Sequence, residues 1–334
     1  MRLSRFLLIG LILLLLVGGG LAIYGYQVIY GPNIAGDTPI DFYVRTNDEP
    51  AKVIKRIKSD QILTSDQHLD FIADKMSYLN SSVKPGRYIL EPNMSTYDLI
   101  NKLRLGQQTP VQVTIKPMRK IEDLAGYLGQ NLEFDSLHYL QTIKTDETTS
   151  ICDYLTDTYE FYWSTDGKDF KKRMKTYSDK FWSDKNLTIL NRTFTPCEVI
   201  TLASIVEKET AYIPEKPTVA GLYIRRLNRG MLLQADPTVI YSVGDFSIRR
   251  VLNRYLNHPS PYNTYVHTGL PPGPICMPSR SSINAVLNAE DHEYIYMCAK
   301  ADNSGTHAFA ETLAQHNRNA RAFQRWLNNR GIRH

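Results

Sequence analysis

Two glutamates flank a lysine at the end of the segment "ASIVEKET", residues 203–210, and a carboxylate closing an apolar helical run is a group that could move a proton. Thr195, Pro196 and Glu198 supply a capping hydroxyl, a proline for the first helical position and a glutamate placed to return the capping bond, so a helix should begin near residue 196. At about 100° of turn per residue, Val199, Leu202, Ala203 and Val206 share one buried face and Lys208 turns to solvent. Glu207 then falls at the edge of the apolar face and Glu209 on the opposite flank, so the two carboxylates point apart and do not form a close acid/base pair. Desolvation of Glu207 beside small and aliphatic neighbours would raise its pKa and keep it protonated as a general acid. The same spacing also fits an amphipathic stripe that simply ends at Glu207.

Other chemistries find less support. Ser204 lies in mid-helix with no G-x-S-x-G around it. His307 and His316, with Glu311 between them, lack H-E-x-x-H or any other tight ligand spacing, so no metal site is expected. The glycines of "VGGG" belong to an apolar run, not to a phosphate loop. Cys152, Cys197, Cys276 and Cys298 are scattered without C-x-x-C spacing, which argues against a zinc ribbon or a thioredoxin-type motif and leaves any pairing open.

The elements that must position these groups start with an anchor. The chain has 334 residues, 43% hydrophobic and 22% charged, enough for a membrane segment and two folded domains. From Phe6 to Ile23, "FLLIGLILLLLVGGGLAI" is an unbroken apolar run of bilayer-spanning length. Arg2 and Arg5 precede it, so residues 1–5 are expected as a cytoplasmic tail, 6–26 as a transmembrane anchor and the body as extracytoplasmic, at the cell (inner) membrane. A cleaved signal peptide ending near Gly20 or Ala22 is the alternative, but the run is long for one. The formal charge of +5 is dispersed, with no basic run interleaved with aromatics. Nucleic acid is therefore not the expected partner, whereas an anionic polymer or a membrane surface is compatible.

After a tether at 27–37, residues 38–108 read as a small α+β module. "IDFYVRT" alternates like a strand, 49–58 and 66–79 read as helices, "GRYIL" is a second strand, and Ser95 with Asp98 opens a helix that stops at Gly106. This β-α-α-β order and the "KPGRY" turn resemble the LysM-like module that binds glycan strands, and the module carries no catalytic constellation. Residues 109–330 form a larger α+β domain. It has helices near 120–130, 168–183, 196–209, 216–229, 280–289 and 311–328, a turn and helix at "LQADPTVIYSVG", and a strand "EYIYMCAK". The proline-rich stretch "SPYNTYVHTGLPPGPICMPS" suits an ordered wall, and its tyrosines and asparagine suit a sugar cleft.

The ordered set "LASIVEKET", "LQADPTVIYSVG", "YNTYVHTGLPPGPI" and "THAFAETLAQHN" resembles the YceG-like family of endolytic murein transglycosylases across residues 110–327. The resemblance implies Glu207 as the catalytic glutamate. It implies substrate contacts at Gln234, Asp236, Thr238, Tyr241, Asn263, Tyr265, His307, Phe309, His316 and Asn317. It also implies non-hydrolytic cleavage of the MurNAc–GlcNAc β-1,4 bond to 1,6-anhydro ends, terminating nascent glycan strands, with no cofactor and with peptidoglycan synthases as further partners. One carboxyl group would suffice: Glu207 would protonate the glycosidic oxygen and then take the proton of the MurNAc C6 hydroxyl as the ring closes. The family's F-x-P-D-T-Y segment reads "YLTDTY" here, with Thr156 in place of proline while Asp157, Thr158 and Tyr159 match, which puts the local turn in question. Two alternatives remain: a muramidase-like hydrolase using Asp236 as a second carboxylate, and a non-catalytic glycan-binding scaffold.

Overall fold

The computed structural model describes residues 2–144 and 151–330, so Met1 of the expected tail lies outside the described residues. Helix α1 (Arg2–Tyr30) contains the one described segment long and apolar enough to cross a membrane, the 23 residues Leu8–Tyr30. At about 1.5 Å per residue this matches a hydrocarbon core about 30 Å thick. The helix runs through Tyr30, into the stretch expected as tether.

The chain divides into two compact units. The first reaches Gln112 and includes residues 131–134 and 160–165, two segments that the sequence assigns to the larger domain. Its strand β1 (Ile40–Val44) pairs antiparallel with β2 (Gly86–Leu90), Ile40 opposite Leu90 and Val44 opposite Gly86. Between the strands lie α2 (Pro50–Ser59) and α3 (Leu69–Lys75), and α4 (Thr96–Leu105) follows. Period-two alternation sends Phe42, Val44, Tyr88 and Leu90 inward against Val53, Ile57, Leu69 and Leu99. Helix α3 is shorter than the expected 66–79, because the backbone turns at both ends: Leu69 N–H donates to Asp66 O, and Ser77 has φ 56°.

The second unit takes the rest of the chain from Val113 on. In chain order come β3 (Val111–Thr114), α5 (Ile121–Asn131), α6 (Ser136–Lys144), β4 (Thr158–Phe161) and α7 (Gly167–Trp182). The hairpin β5 (Thr188–Ile189) with β6 (Arg192–Thr193) precedes α8 (Pro196–Glu209), α9 (Lys216–Asn228), α10 (Asp236–Val243) and α11 (Asn253–Leu256). Helix α12 (Arg280–Leu287), the antiparallel pair β7 (Tyr296–Ala299) with β8 (His307–Ala310), and α13 (Leu313–Asn329) complete it.

Helix α8 is the centre of this unit. Thr195 Oγ1 accepts from Glu198 N–H at 3.2 Å and Glu198 Oε2 accepts from Thr195 N–H at 2.7 Å, the capping box that the sequence announces. The burial goes further than the expected stripe: every residue from Val199 to Val206 is buried, including Ile200, Thr201, Ser204 and Ile205. A helix apolar on all sides is one enclosed by its neighbours, here α9 and α12. Its two interior hydroxyls are satisfied, Thr201 by Cys197 O and Ser204 by Thr201 O, and Ser204 Oγ also accepts from Ile275 N–H at 3.0 Å. The last bond pins the proline-rich stretch to α8. A disulfide between Cys152 and Cys197 ties the start of α8 to a point 45 residues earlier in the chain.

Candidate active site

The last turn of α8 delivers Glu209 to a cavity of about 200 Å³ lined by five later segments. Helix α9 contributes Tyr223 and Arg226, the approach to α10 contributes Gln234 and Asp236, the proline-rich stretch contributes Tyr265, β7 contributes Met297, Cys298 and Ala299, and β8 contributes His307. Tyr223 Oη donates to Glu209 Oε1 at 2.5 Å. Burial pushes the Glu209 carboxyl up to about 7; the Tyr223 bond pulls down, the Asp236 charge pushes up and Arg226 pulls down. The acid is thus poised to hold or release a proton near neutrality. Burial and the Glu209 charge raise the Tyr223 phenol well above its ordinary value, so it remains a donor.

The cavity walls are braced. Arg226 is buried and spends its guanidinium on the carbonyls of Ile295, Leu232 and Leu233 at 2.7, 3.2 and 2.7 Å, fixing the chain before Gln234. Gln234 itself has φ 50°, a left-handed conformation uncommon for a residue with a side chain, and its N–H donates to Thr264 O. Tyr265 Oη donates to Asp236 Oδ1 at 2.6 Å. Buried Glu215 accepts from both the backbone N–H of His307, at 2.8 Å, and the imidazole Nδ1, at 2.6 Å, so the His307 ring is oriented through one nitrogen.

Glu207, two residues before Glu209, occupies the opposite kind of seat. Its Oε2 accepts from Ser279 Oγ and Ser282 Oγ at 2.5 Å each, from Lys216 Nζ at 3.0 Å and from Ser279 N–H at 3.3 Å. Lys216 is almost fully buried, its side chain 5% exposed, and Ser279 is the cap of α12, so the carboxylate also faces a helix N-terminus. Burial pushes its pKa up, but the bonds from Ser279, Ser282 and Lys216 outweigh that and hold it below the usual glutamate value. The expectation of a poorly solvated, protonated acid at Glu207 is therefore corrected: four donors converge on it and keep it an anion.

Residues 42–322 match the model of the YceG-like family. The chain belongs to that family. It is 24% identical to an endolytic murein transglycosylase of Bacillus subtilis over 91% of this chain and 90% of the relative. It is 30% identical to one of Streptococcus pneumoniae over 72% of this chain, spanning half of that longer protein. A crystal structure of a YceG-like protein from Listeria monocytogenes shares the fold with a TM-score of 0.52 at 23% identity, covering 85% of this chain and 99% of the other.

In this YceG-like chain, four of the ten cleft residues named from sequence, Gln234, Asp236, Tyr265 and His307, line the Glu209 cavity. The others lie elsewhere. Thr238 is buried, with its hydroxyl between Ala235 O and Thr264 Oγ1. Asn263 is buried, donating to Leu256 O and His258 O and accepting from Tyr265 N–H, so it shapes the stretch that presents Tyr265. Phe309 stacks on Tyr294, His316 stacks on Tyr296, and Asn317 is exposed on α13. Burial and the Arg226 charge lower the His316 pKa. Tyr241 lines a second cavity. Thr156, standing where the family has proline, donates to Pro278 O at 2.7 Å, so a side-chain bond holds the turn. The apolar seat of Glu209 has a local signal in the sequence. The residues three and four before Glu209 are Val206 and Ile205, whereas those before Glu207 are Ser204 and Ala203.

Proposed function

We propose that the chain is a membrane-anchored lytic transglycosylase of peptidoglycan, with Glu209 as its acid and base. The family and its curated relatives support the reaction class, and the seat of Glu209 carries the assignment of the residue. A carboxyl group with a pKa near neutrality serves both halves of the reaction. Protonated, it donates to the glycosidic oxygen while positive charge develops at the MurNAc C1. As a carboxylate, it accepts the C6 hydroxyl proton when that oxygen closes on C1, and the 1,6-anhydro ring takes the place that water has in hydrolysis. The Tyr223 bond to Oε1 orients the group, and Oε2 is left for substrate. The acidic Asp236 beside Glu209 suits the positively charged transition state, and His307 and Gln234 offer polar contacts to sugar hydroxyls. Glu207 then has a supporting part, holding α12 and Lys216 to the end of α8.

The domain layout completes the reading: a tail at 1–5, a single-pass anchor at 6–26, a tether at 27–37, a LysM-like glycan-binding module at 38–108 and the catalytic domain at 109–330. The antiparallel pair β1–β2 with two helices in its connection favours a LysM-like module, and peptidoglycan synthases are its proposed neighbours at the membrane. The Cys152–Cys197 disulfide favours placement of the catalytic domain outside the cytoplasm.

The test is to incubate the purified protein, Glu209→Gln and Glu207→Gln with peptidoglycan and weigh the products. Anhydro-ended fragments, lighter by one water than reducing ends, are expected from the parent. Glu209→Gln should lose roughly 10³-fold or more of the rate, because acid and base functions vanish together, and Glu207→Gln should keep most of it. Reducing ends would mean hydrolysis, and the reverse order of losses would return the acid role to Glu207.

A further inference from the structure

The cavity that Tyr241 lines, about 750 Å³, is larger than that of Glu209 and has a different character. Arg119 and Lys120 bound it at the start of α5, Tyr241 and Tyr262 form one side, and Pro272 and Pro274 form the wall beyond them. The half-buried Arg119 guanidinium lies 4.2 Å from the Phe246 ring centroid, and Lys120 Nζ lies 5.7 Å from the same ring. Stacking orders these cations without neutralising them. The carboxylate in the same cavity, Glu122, is already engaged: Lys144 bonds it and holds its pKa low. Lys120 also acts on Glu122 through its charge, but neither Arg119 nor Lys120 forms a salt bridge among the described residues. Beside them the Tyr241 and Tyr262 rings, 4.8 Å apart and inclined at 50°, present an aromatic corner.

Two elements wall both cavities. Helix α10 carries Asp236 at the Glu209 cavity and Tyr241 at this one, about 7–8 Å further along the helix axis at 1.5 Å per residue. The proline-rich stretch gives Tyr265 to the first and Tyr262 to the second. Five residues at about 100° each turn Tyr241 about 140° from Asp236, so the two cavities lie on different flanks of α10.

We propose that this cavity is a second binding site, which takes a carboxylate-bearing part of peptidoglycan. Arg119 and Lys120 would receive the carboxylate, and the Tyr241–Tyr262 corner would pack against the sugar or peptide that bears it. The proposal rests on the transglycosylase reading. Its shared chemistry, a carboxylate, has two sources in this polymer: the stem peptide, and the lactyl group of MurNAc where the peptide is missing.

The experiment uses the full chain carrying Glu209→Gln, so that ligands stay intact, with and without Arg119→Gln plus Lys120→Gln. NMR titration with muramyl dipeptide, with free N-acetylmuramic acid and with uncharged chitotriose reads binding directly, and tryptophan fluorescence verifies folding. Loss of charge-assisted bonds should weaken a carboxylate probe about tenfold and leave chitotriose within about twofold. A drop confined to muramyl dipeptide supports the site with the stem peptide as source, and a drop with N-acetylmuramic acid supports it with the lactyl group as source. Unchanged affinity for both carboxylate probes, or an equal loss for chitotriose, would overturn the proposal. Residual cleavage by Glu209→Gln alone would instead count against the assignment of the acid, so the two failures are distinct.

Discussion

Glu207 and Glu209 leave the same helix one residue apart from Lys208, yet their surroundings have opposite electrostatic sense. Around Glu207 the neighbouring elements bring donors: a buried lysine from α9 and two serines and an amide from the cap of α12. Around Glu209 they bring a phenol, a nearby carboxylate and apolar cover, and the one strong cation, Arg226, is spent on carbonyls. The difference teaches that a helix does not set the protonation of its own side chains. What decides it is whether the segments packed against each flank arrive with charge-stabilising groups or with low-dielectric surface.

If that contrast is right, removing the charge at the two positions should change stability in opposite directions. The larger effect belongs to Glu207→Gln. It strips Lys216 of its counter-charge in a nearly closed setting, and removing one partner of a buried pair costs about 3 kcal/mol. Because the Glu207 pKa is depressed in the folded state, this contribution is fully present above the ordinary value of 4.5 and is lost as the pH falls through the folded value. Denaturant titrations at pH 7 and pH 4 should therefore show a large deficit that shrinks in acid; an equal deficit at both would mean that packing, not charge, is responsible.

Glu209→Gln should do the reverse and more gently. Its folded pKa is raised from 4.5 to about 7, so its favourable term is present below 4.5 and is lost as the pH rises through 7. Above that pH the parent must keep a poorly solvated charge, and the variant is relieved of it. A gain on the order of 1–3 kcal/mol at pH 8 is expected, vanishing near pH 4, as the shift of a half-covered acid allows. A Glu209→Gln protein that is less stable than the parent at pH 8 would break the comparison.

The parts of this molecule legible in its sequence are those decided locally. The capping boxes at Thr195 with Glu198 and at Ser95 with Asp98, and the left-handed stop at Gly106, involve residues within one turn and stand where the sequence puts them. Strand β8, "HAFA", was not legible, since four residues acquire their conformation only by pairing with β7. Nor was the β5–β6 hairpin, whose turn uses Leu190 and Asn191 at positive φ without the glycine that would signal it. Of the residues that the motifs single out, Gln234, Asp236, Tyr265 and His307 line the Glu209 cavity, whereas Thr238 and Asn263 belong to the frame behind them. The protonation of Glu207 was not legible for a physical reason: the helix face shows only its apolar neighbours, while the groups that hold it as an anion come from 9, 72 and 75 residues further along the chain.

The most direct test of which carboxyl group holds a proton near neutrality is to titrate the glutamate side-chain carboxyl signals by NMR with ¹³C-labelled glutamate, in the parent, Glu207→Gln and Glu209→Gln. One glutamate should titrate at about pH 7, and its signal should be missing from Glu209→Gln and present in Glu207→Gln. A near-neutral signal that disappears in Glu207→Gln instead, or the absence of any glutamate titrating above the ordinary range, would contradict the account.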